Sequence, residues 1–238
     1  MKSEELDETQ EDEPSSIVEN AITEQRRMLS GYWGNPQIER QILEEAWNPI
    51  HCAMSLVGEP TLYSRLGQLI REFFKRKFRT IFLVTNGMFP EVLAKLNPEP
   101  SQLYVSLCAP DRATYEKVCR PQLHDAWLRV NDTLKLLESF RCPTVIRITL
   151  AKGLNMTGLK DYAKLVSKAN PTYLEPKGAM AVGFFNRRLP RNMMPTFEDV
   201  RIFAKELSAL TGYGILEESS LSNVLLLSRL NRPMRLAN

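Results

Sequence analysis

The chain has 238 residues, 43% of them hydrophobic, enough for one globular domain with a full core. No apolar run is long enough to cross a membrane and no signal peptide opens the sequence; this argues against a membrane or secreted protein and points to the cytoplasm. Seven acidic residues and one lysine lie between Lys2 and Glu13, leaving 30 basic and 21 acidic residues, a net of +9, in the rest. A moderately basic body suits a polyanionic partner such as RNA, as it suits many other soluble proteins.

In chain order, residues 1–16 read as a charged, disordered lead-in, with Pro14, Ser15 and Ser16 as a helix start. Val18, Ala21, Ile22, Gln25 and Leu29 follow one helical face. Gly31, Gly34, Asn35 and Pro36 break it, and a second helix runs from about Ile38 to Trp47. Strands then alternate with helices. The strands are 51–57, 80–85, 103–108, 144–150 and 172–177. Helical spacing marks Leu62–Phe73, Trp127–Leu137, Leu159–Val166 and Phe197–Leu207. Two closing strands, 213–216 and 223–228, follow, and 231–238 form a tail. The alternation predicts a parallel sheet with helices outside it.

The strands are most informative where they are polar, because side chains alternate across a strand. Leu103, Val105 and Leu107 face one way, and Tyr104, Ser106 and Cys108 the other. Ile146, Ile148 and Leu150 likewise oppose Val145, Arg147 and Thr149. Leu174 and Pro176 oppose Tyr173, Glu175 and Lys177. A doubly wound sheet has both faces covered and apolar. A polar face in successive strands predicts a barrel or half-barrel with a charged ligand inside. The plain alternative is a set of satisfied polar pairs, such as Arg147 with Glu175.

Three constellations stand at strand ends. In Ser55-Leu56-Val57-Gly58-Glu59-Pro60-Thr61 a glycine lets backbone approach a ligand and Glu59 offers a carboxylate; the motif is also an ordinary turn. Asn86-Gly87 ends the next strand and is equally a common turn. Lys177 reads either as an ion-pair partner or as a Schiff-base nucleophile toward a keto acid. Cys52, Cys108, Cys119 and Cys142 have no metal-binding or redox spacing and read as reduced thiols, Cys52 and Cys142 as packing.

The strings HCAMSLVGEPTLY (51–63), FLVTNGMFPEV (82–92), QLYVSL (102–107), VIRITLAKGLNM (145–156) and YLEPKGAMAVG (173–183) occur in this order. Together, over about Ile17–Leu230, they resemble the radical S-adenosylmethionine (SAM) family of wybutosine biosynthesis, 4-demethylwyosine synthase, in its archaeal form. The resemblance implies an α/β fold: a partial (β/α) barrel of the radical-SAM type, here missing its first strand and cluster loop. It implies SAM and a [4Fe–4S] cluster as cofactors, tRNA bearing N1-methylguanosine and pyruvate as substrates, and an electron donor protein. The SAM-binding residues it implies are Gly58, Glu59, Pro60, Asn86, Ser106 and Arg147. Ser55, Thr149 and Glu175 would line the substrate pocket, and Lys177 would contact pyruvate.

The sequence departs from the family in four places. The C-x3-C-x2-C cluster motif is absent, so the chain has no metal ligands of its own. It is expected to be inactive alone unless a partner supplies the cluster segment. Pro176 replaces a strand-forming aliphatic, Thr196-Phe197 replaces Trp-His, and Cys108 stands where some members carry Asp.

Two rival readings are a metal-free pyruvate lyase using Lys177 and a non-catalytic RNA-binding remnant. For RNA, Phe184, Phe185, Arg187, Arg188 and Arg191 combine aromatic and cationic groups near the expected pocket mouth. Lys75, Arg76, Lys77 and Arg79 form a second basic cluster.

Overall fold

The first five strands lie side by side in the order in which the chain makes them. In the computed structural model, which describes residues 10–56, 58–180 and 189–234, helices α1 (Pro14–Leu29) and α2 (Arg40–Trp47) precede β1 (His51–Met54). Then come α3 (Leu66–Lys75), β2 (Thr80–Thr85), α4 (Pro90–Leu93), β3 (Gln102–Ser106), α5 (Arg112–Cys119) and α6 (Ala126–Leu136). They are followed by β4 (Thr144–Leu150), α7 (Leu159–Ala169), β5 (Tyr173–Gly178), α8 (Phe197–Thr211), β6 (Gly214–Ser219) and β7 (Val224–Ser228). The sheet order is β1-β2-β3-β4-β5-β7-β6, with β1 to β5 parallel and β7 antiparallel to both β5 and β6.

This order explains the two-faced strands. Strand–helix–strand crossovers are right-handed, so a sheet that grows in one direction places all its crossover helices on the same face. α1 packs on α3, α6 on α7 and α7 on α8. Against them lie Ile81, Leu83, Leu103, Val105, Leu107, Ile146, Ile148, Leu150 and Leu174, all buried in one core. The opposite face stays partly open, as Tyr104, Ser106, Arg147, Thr149, Glu175 and Lys177 show. The half-barrel register read from the sequence is therefore the observed one.

Local chemistry sets the ends of several elements. The side chain of Thr196 caps α8 by accepting the Asp199 N–H, and the Asp199 carboxylate accepts the Thr196 N–H in return. β1 stops at Met54, short of the expected Val57. Leu56 takes a φ of 92°, a left-handed conformation that no strand accommodates. α5 was not among the expected elements. It buries only Tyr115, so its apolar period is weak, and it is defined instead by Asp111, whose carboxylate caps the Thr114 N–H at 2.9 Å. Pro176, which lacks an N–H, falls between the pairs Leu174–Leu227 and Lys177–Val224 of the β5–β7 ladder.

The described part of the acidic lead-in corrects the expectation of disorder up to residue 16. Glu11 accepts the Ser64 N–H at 2.9 Å, Tyr63 donates to the Asp12 carbonyl at 2.7 Å, Arg65 pairs with Glu13 at 2.7 Å, and α1 begins at Pro14. Tyr63, Ser64 and Arg65 together hold Glu11, Asp12 and Glu13 in place.

Burial pushes the Cys52 thiol up to about 11 and that of Cys142 to about 12, and it raises Tyr115 and Tyr162 above the ordinary tyrosine range. Each of these groups holds its proton more tightly in the folded chain than in the unfolded one. Their contribution is complete below pH 8 and is lost as pH rises through the unfolded values of roughly 8.5 to 10 and beyond. The urea midpoint is expected to fall between pH 8 and pH 10.5, and a flat profile would show that these groups ionise without unfolding the chain.

Candidate active site

The C-terminal ends of β1 to β5 carry the polar residues singled out in the sequence. Ser106 on β3 lies opposite Arg147 on β4, Arg147 opposite Glu175 on β5, and Thr149 opposite Lys177. Three adjacent strands thus present one polar row on the open face. Arg147 donates from Nε to Glu175 Oε1 at 2.7 Å, and its guanidinium lies 4.6 Å from the Tyr104 ring centroid. The ion pair set out as the plain alternative therefore exists, and it sits on the open face. Tyr104 is held above the usual tyrosine range, first by burial and then by the Glu175 charge, with Arg147 opposing both.

Glu59 is tied into the strand ends by its own hydrogen bonds. Its Oε1 accepts the Thr61 N–H at 3.1 Å, the Thr61 hydroxyl at 2.6 Å and the Thr85 hydroxyl at 2.6 Å, while Oε2 accepts the Asn86 N–H at 2.7 Å. The carboxylate ties the end of β1 to the end of β2. Gly58, at φ 83° with open space around its Cα, leaves backbone accessible beside it, next to exposed Ser55 and half-buried Pro60.

Asn155 is a second knot, missed in the sequence although it lies within one of the quoted strings. It is 1% exposed; its Oδ1 accepts the Ala151 N–H at 2.7 Å, and its Nδ2 donates to the Cys108 and Thr149 carbonyls, each at 2.8 Å. It fixes the β3 and β4 exits relative to each other. Its legible signal was an asparagine five places beyond the end of β4, in the loop where turn residues gather.

Cys108 and Cys119, eleven positions apart in sequence, come into hydrogen-bond contact across the exit of β3. That contact pulls the Cys108 thiol down and pushes the Cys119 thiol up. Cys52 and Cys142 pack against the core as expected. Among the described residues, which include all four cysteines, no group of three His, Cys, Asp or Glu side chains could hold a metal ion.

Of the residues expected to meet RNA, Phe184, Phe185, Arg187 and Arg188 lie outside the described residues. Arg191 is exposed on a short turn anchored over β4, where Lys152 N–H donates to the Met193 carbonyl at 2.7 Å. Lys75, Arg76, Lys77 and Arg79 lie between α3 and the start of β2, at the sheet edge opposite the site. Lys75 and Arg76 there pair with Glu72 and Glu19.

Residues 25–166 match the radical SAM superfamily, and residues 168–229 match the wyosine base formation family. The S-adenosyl-L-methionine-dependent tRNA 4-demethylwyosine synthase of Pyrococcus horikoshii is 47% identical over 222 residues, which are 92% of this chain and 65% of that protein. The protein of the same description from Arabidopsis thaliana is 38% identical over 198 residues, 83% of this chain and 30% of its own length. Two solved structures superpose closely. One, described as TYW1 with a lysine-pyruvate adduct bound, has a TM-score of 0.86 and 33% identity, covering 95% of this chain and 73% of that one. The other, archaeal TYW1, has a TM-score of 0.81 and 31% identity, with 96% and 75% covered. The chain thus spans about 65% of the length of the archaeal relatives it matches. It belongs to the radical SAM superfamily and, within it, to the tRNA 4-demethylwyosine synthase family.

Proposed function

We propose that the open face of this half-barrel is the SAM- and substrate-binding surface of a 4-demethylwyosine synthase, which builds a tricyclic base from N1-methylguanosine in tRNA and pyruvate. The observation that supports it is the polar row Ser106, Arg147, Thr149, Glu175 and Lys177 at the strand ends, in a chain with this family membership. The described residues fit SAM. Gly58 leaves backbone open to an ammonium group, and Asn86, Ser106 and Arg147 offer donors for carboxylate and ribose oxygens. When bound and reduced, SAM supplies the superfamily's hydrogen-abstracting chemistry. The cysteines do not fit a [4Fe–4S] cluster: Cys52 lies at the start of β1 and Cys142 just before β4, while Cys108 lies beyond the end of β3 and Cys119 at the end of α5. An electron donor protein, and a further segment or partner bearing the cluster, complete the reading.

Lys177, on β5 opposite Thr149, is the group we assign to pyruvate; its ammonium suits the carboxylate or keto oxygen. The solved relative with a lysine-pyruvate adduct supports a lysine–pyruvate encounter in this family. Borohydride trapping of labelled pyruvate separates an imine from an ion pair. Label on Lys177 would identify it as the nucleophile, whereas Lys177→Met weakening pyruvate binding without trapped label would mark a salt contact. Unchanged pyruvate binding in that variant would remove Lys177 from the site.

An anticodon stem-loop carrying N1-methylguanosine is expected to bind at least tenfold more tightly than an unrelated duplex of equal length at the same salt. Equal affinity would leave only general electrostatic attraction and would sink the tRNA reading. Anaerobic reconstitution of this chain alone is expected to give no stable cluster. Near-stoichiometric iron and sulfide with a SAM-dependent spectral change would overturn that.

A further inference from the structure

The turn Asn86-Gly87-Met88, at the exit of β2, is held by side chains at nearly every polar position. The Asn86 N–H goes to Glu59 Oε2 at 2.7 Å, the Gly87 N–H to Thr85 Oγ1 at 3.1 Å, and the Met88 N–H to Asn86 Oδ1 at 2.9 Å. The Gly87 carbonyl accepts the hydroxyl of Thr133 at 2.7 Å, from the middle of α6. Thr133 is fully buried. It follows Val130 by three places and precedes Leu137 by four, so it occupies a core-facing position where an aliphatic is the ordinary choice. Gly87 has a φ of 74°, and a Cβ there would meet Thr133 and Val105 at 3.3 Å. A side chain at residue 87 would strain the backbone and crowd Thr133 and Val105.

This arrangement fixes what Asn86 can offer. Its residue is exposed, its Oδ1 is engaged by the Met88 N–H, and of its side chain only Nδ2 remains without a partner among the described residues. An amide held this way turns its oxygen back into the turn and presents its two N–H donors outward. We propose that Asn86 contacts the ligand as a donor only, to a carboxylate or ribose oxygen and not to an ammonium group. We further propose that Glu59, Thr85 and Thr133 are positioning residues acting through it. The proposal rests on reading this face as a SAM site. It reassigns Glu59 from the ligand to the turn, and it adds Thr133, 46 residues from Gly87, to the machinery.

The test uses the full chain, with S-adenosylmethionine and its decarboxylated analogue as probes, equilibrium binding as one readout and amide hydrogen exchange as the other. Asn86→Ala is expected to weaken SAM binding about tenfold or more, the range of one hydrogen bond to a charged group. Asn86→Asp should do worse than Ala if the partner is the carboxylate, because two anions then face each other; a ribose hydroxyl would instead donate to the new carboxylate and the loss would be smaller. If the partner is the carboxylate, the decarboxylated analogue binds both variants and wild type alike; if it is a ribose oxygen, the analogue shows the same losses as SAM.

Thr133→Val should weaken SAM binding about threefold or more and speed exchange at Gly87 and Met88, and Thr133→Ser should restore both. In the Asn86→Ala background, Thr133→Val should change binding no further. Equal losses with and without the Asn86 side chain would reduce Thr133 to a general structural role, and wild-type affinity in Asn86→Ala would overturn the donor assignment. A wild-type chain that takes up no SAM, with the exchange pattern intact, would instead overturn the reading of the face as a SAM site.

Discussion

Replacing Asn155 with Ala is expected to lower the unfolding free energy by about 3–5 kcal/mol and the melting temperature by roughly 10 °C. The side chain satisfies one N–H and two carbonyls in a position 1% exposed to solvent. Its loss leaves three buried polar groups unpaired, each costing about 1–3 kcal/mol where water cannot reach it. Asn155→Asp keeps the acceptor for the Ala151 N–H but turns the donor into an acceptor facing two carbonyls, so it should be no better than Ala. Thermal and urea unfolding of both variants check this. A loss under 1 kcal/mol in Asn155→Ala would show that water enters the site and replaces the amide. Two of its partners, the Cys108 and Thr149 carbonyls, stand at the exits of β3 and β4. Ligand binding should therefore weaken along with stability.

Arg147→Ala is expected to cost about 2–4 kcal/mol, because it leaves the Glu175 carboxylate, with a side chain only 13% exposed, without its guanidinium. It also removes the cation from the Tyr104 face, worth about 1 kcal/mol, and moves the Tyr104 hydroxyl still further above its usual range. Arg147→Lys keeps the charge but not the planar fork, so it should recover only part of the loss. The informative variant is the pair Arg147→Met with Glu175→Leu. Removing both charges restores much of the stability, since neither is left buried alone. If the ion pair is purely structural, the double variant folds and still binds SAM and the modified stem-loop. If Arg147 also offers its remaining guanidinium N–H groups to a ligand, the double variant folds and binds neither. Chemical unfolding and equilibrium binding on the same samples separate the two.

Binding at the Asn86 turn is the more delicate case, because its effects run through geometry. Gly87 and the Thr133 hydroxyl fix the direction of one amide, and no charge is involved in that contact. SAM carries few charges beside the many phosphates of tRNA, so its binding should change less with salt than tRNA affinity, which should fall steeply as salt rises.

What the sequence determined by itself was the set of faces. Strict alternation along 103–108, 144–150 and 173–177 sorts aliphatic from polar residues, and a one-residue slip would have exchanged them, so the pattern alone fixed which side of each strand meets the helices. The ordered strings likewise identified the family, since five short segments in a fixed order carry more information than any one of them. The sequence also placed Gly58, Asn86, Ser106, Arg147 and Lys177 at or near strand ends, where α/β folds bind ligands.

Only the tertiary structure decided what those residues do to one another. Glu59 reads in sequence as a free carboxylate, but Thr85, 26 positions away, and the Asn86 N–H surround it with donors. Thr133 looks like an unremarkable helix residue until α6 packs over the exit of β2. Cys108 and Cys119 share no metal spacing, yet the fold brings the loop after β3 and the end of α5 together so that they meet. The basic cluster at 75–79 reads in sequence as a solvated surface or an RNA contact, and only the direction of β2 shows which edge of the sheet it occupies. The physical reason is the same in each case. Periodicity reports which way a side chain points relative to its own element, a local property of the backbone. Hydrogen-bond partners depend on which elements become neighbours and in what register, and that is set by the unreversed, right-handed winding of the whole sheet.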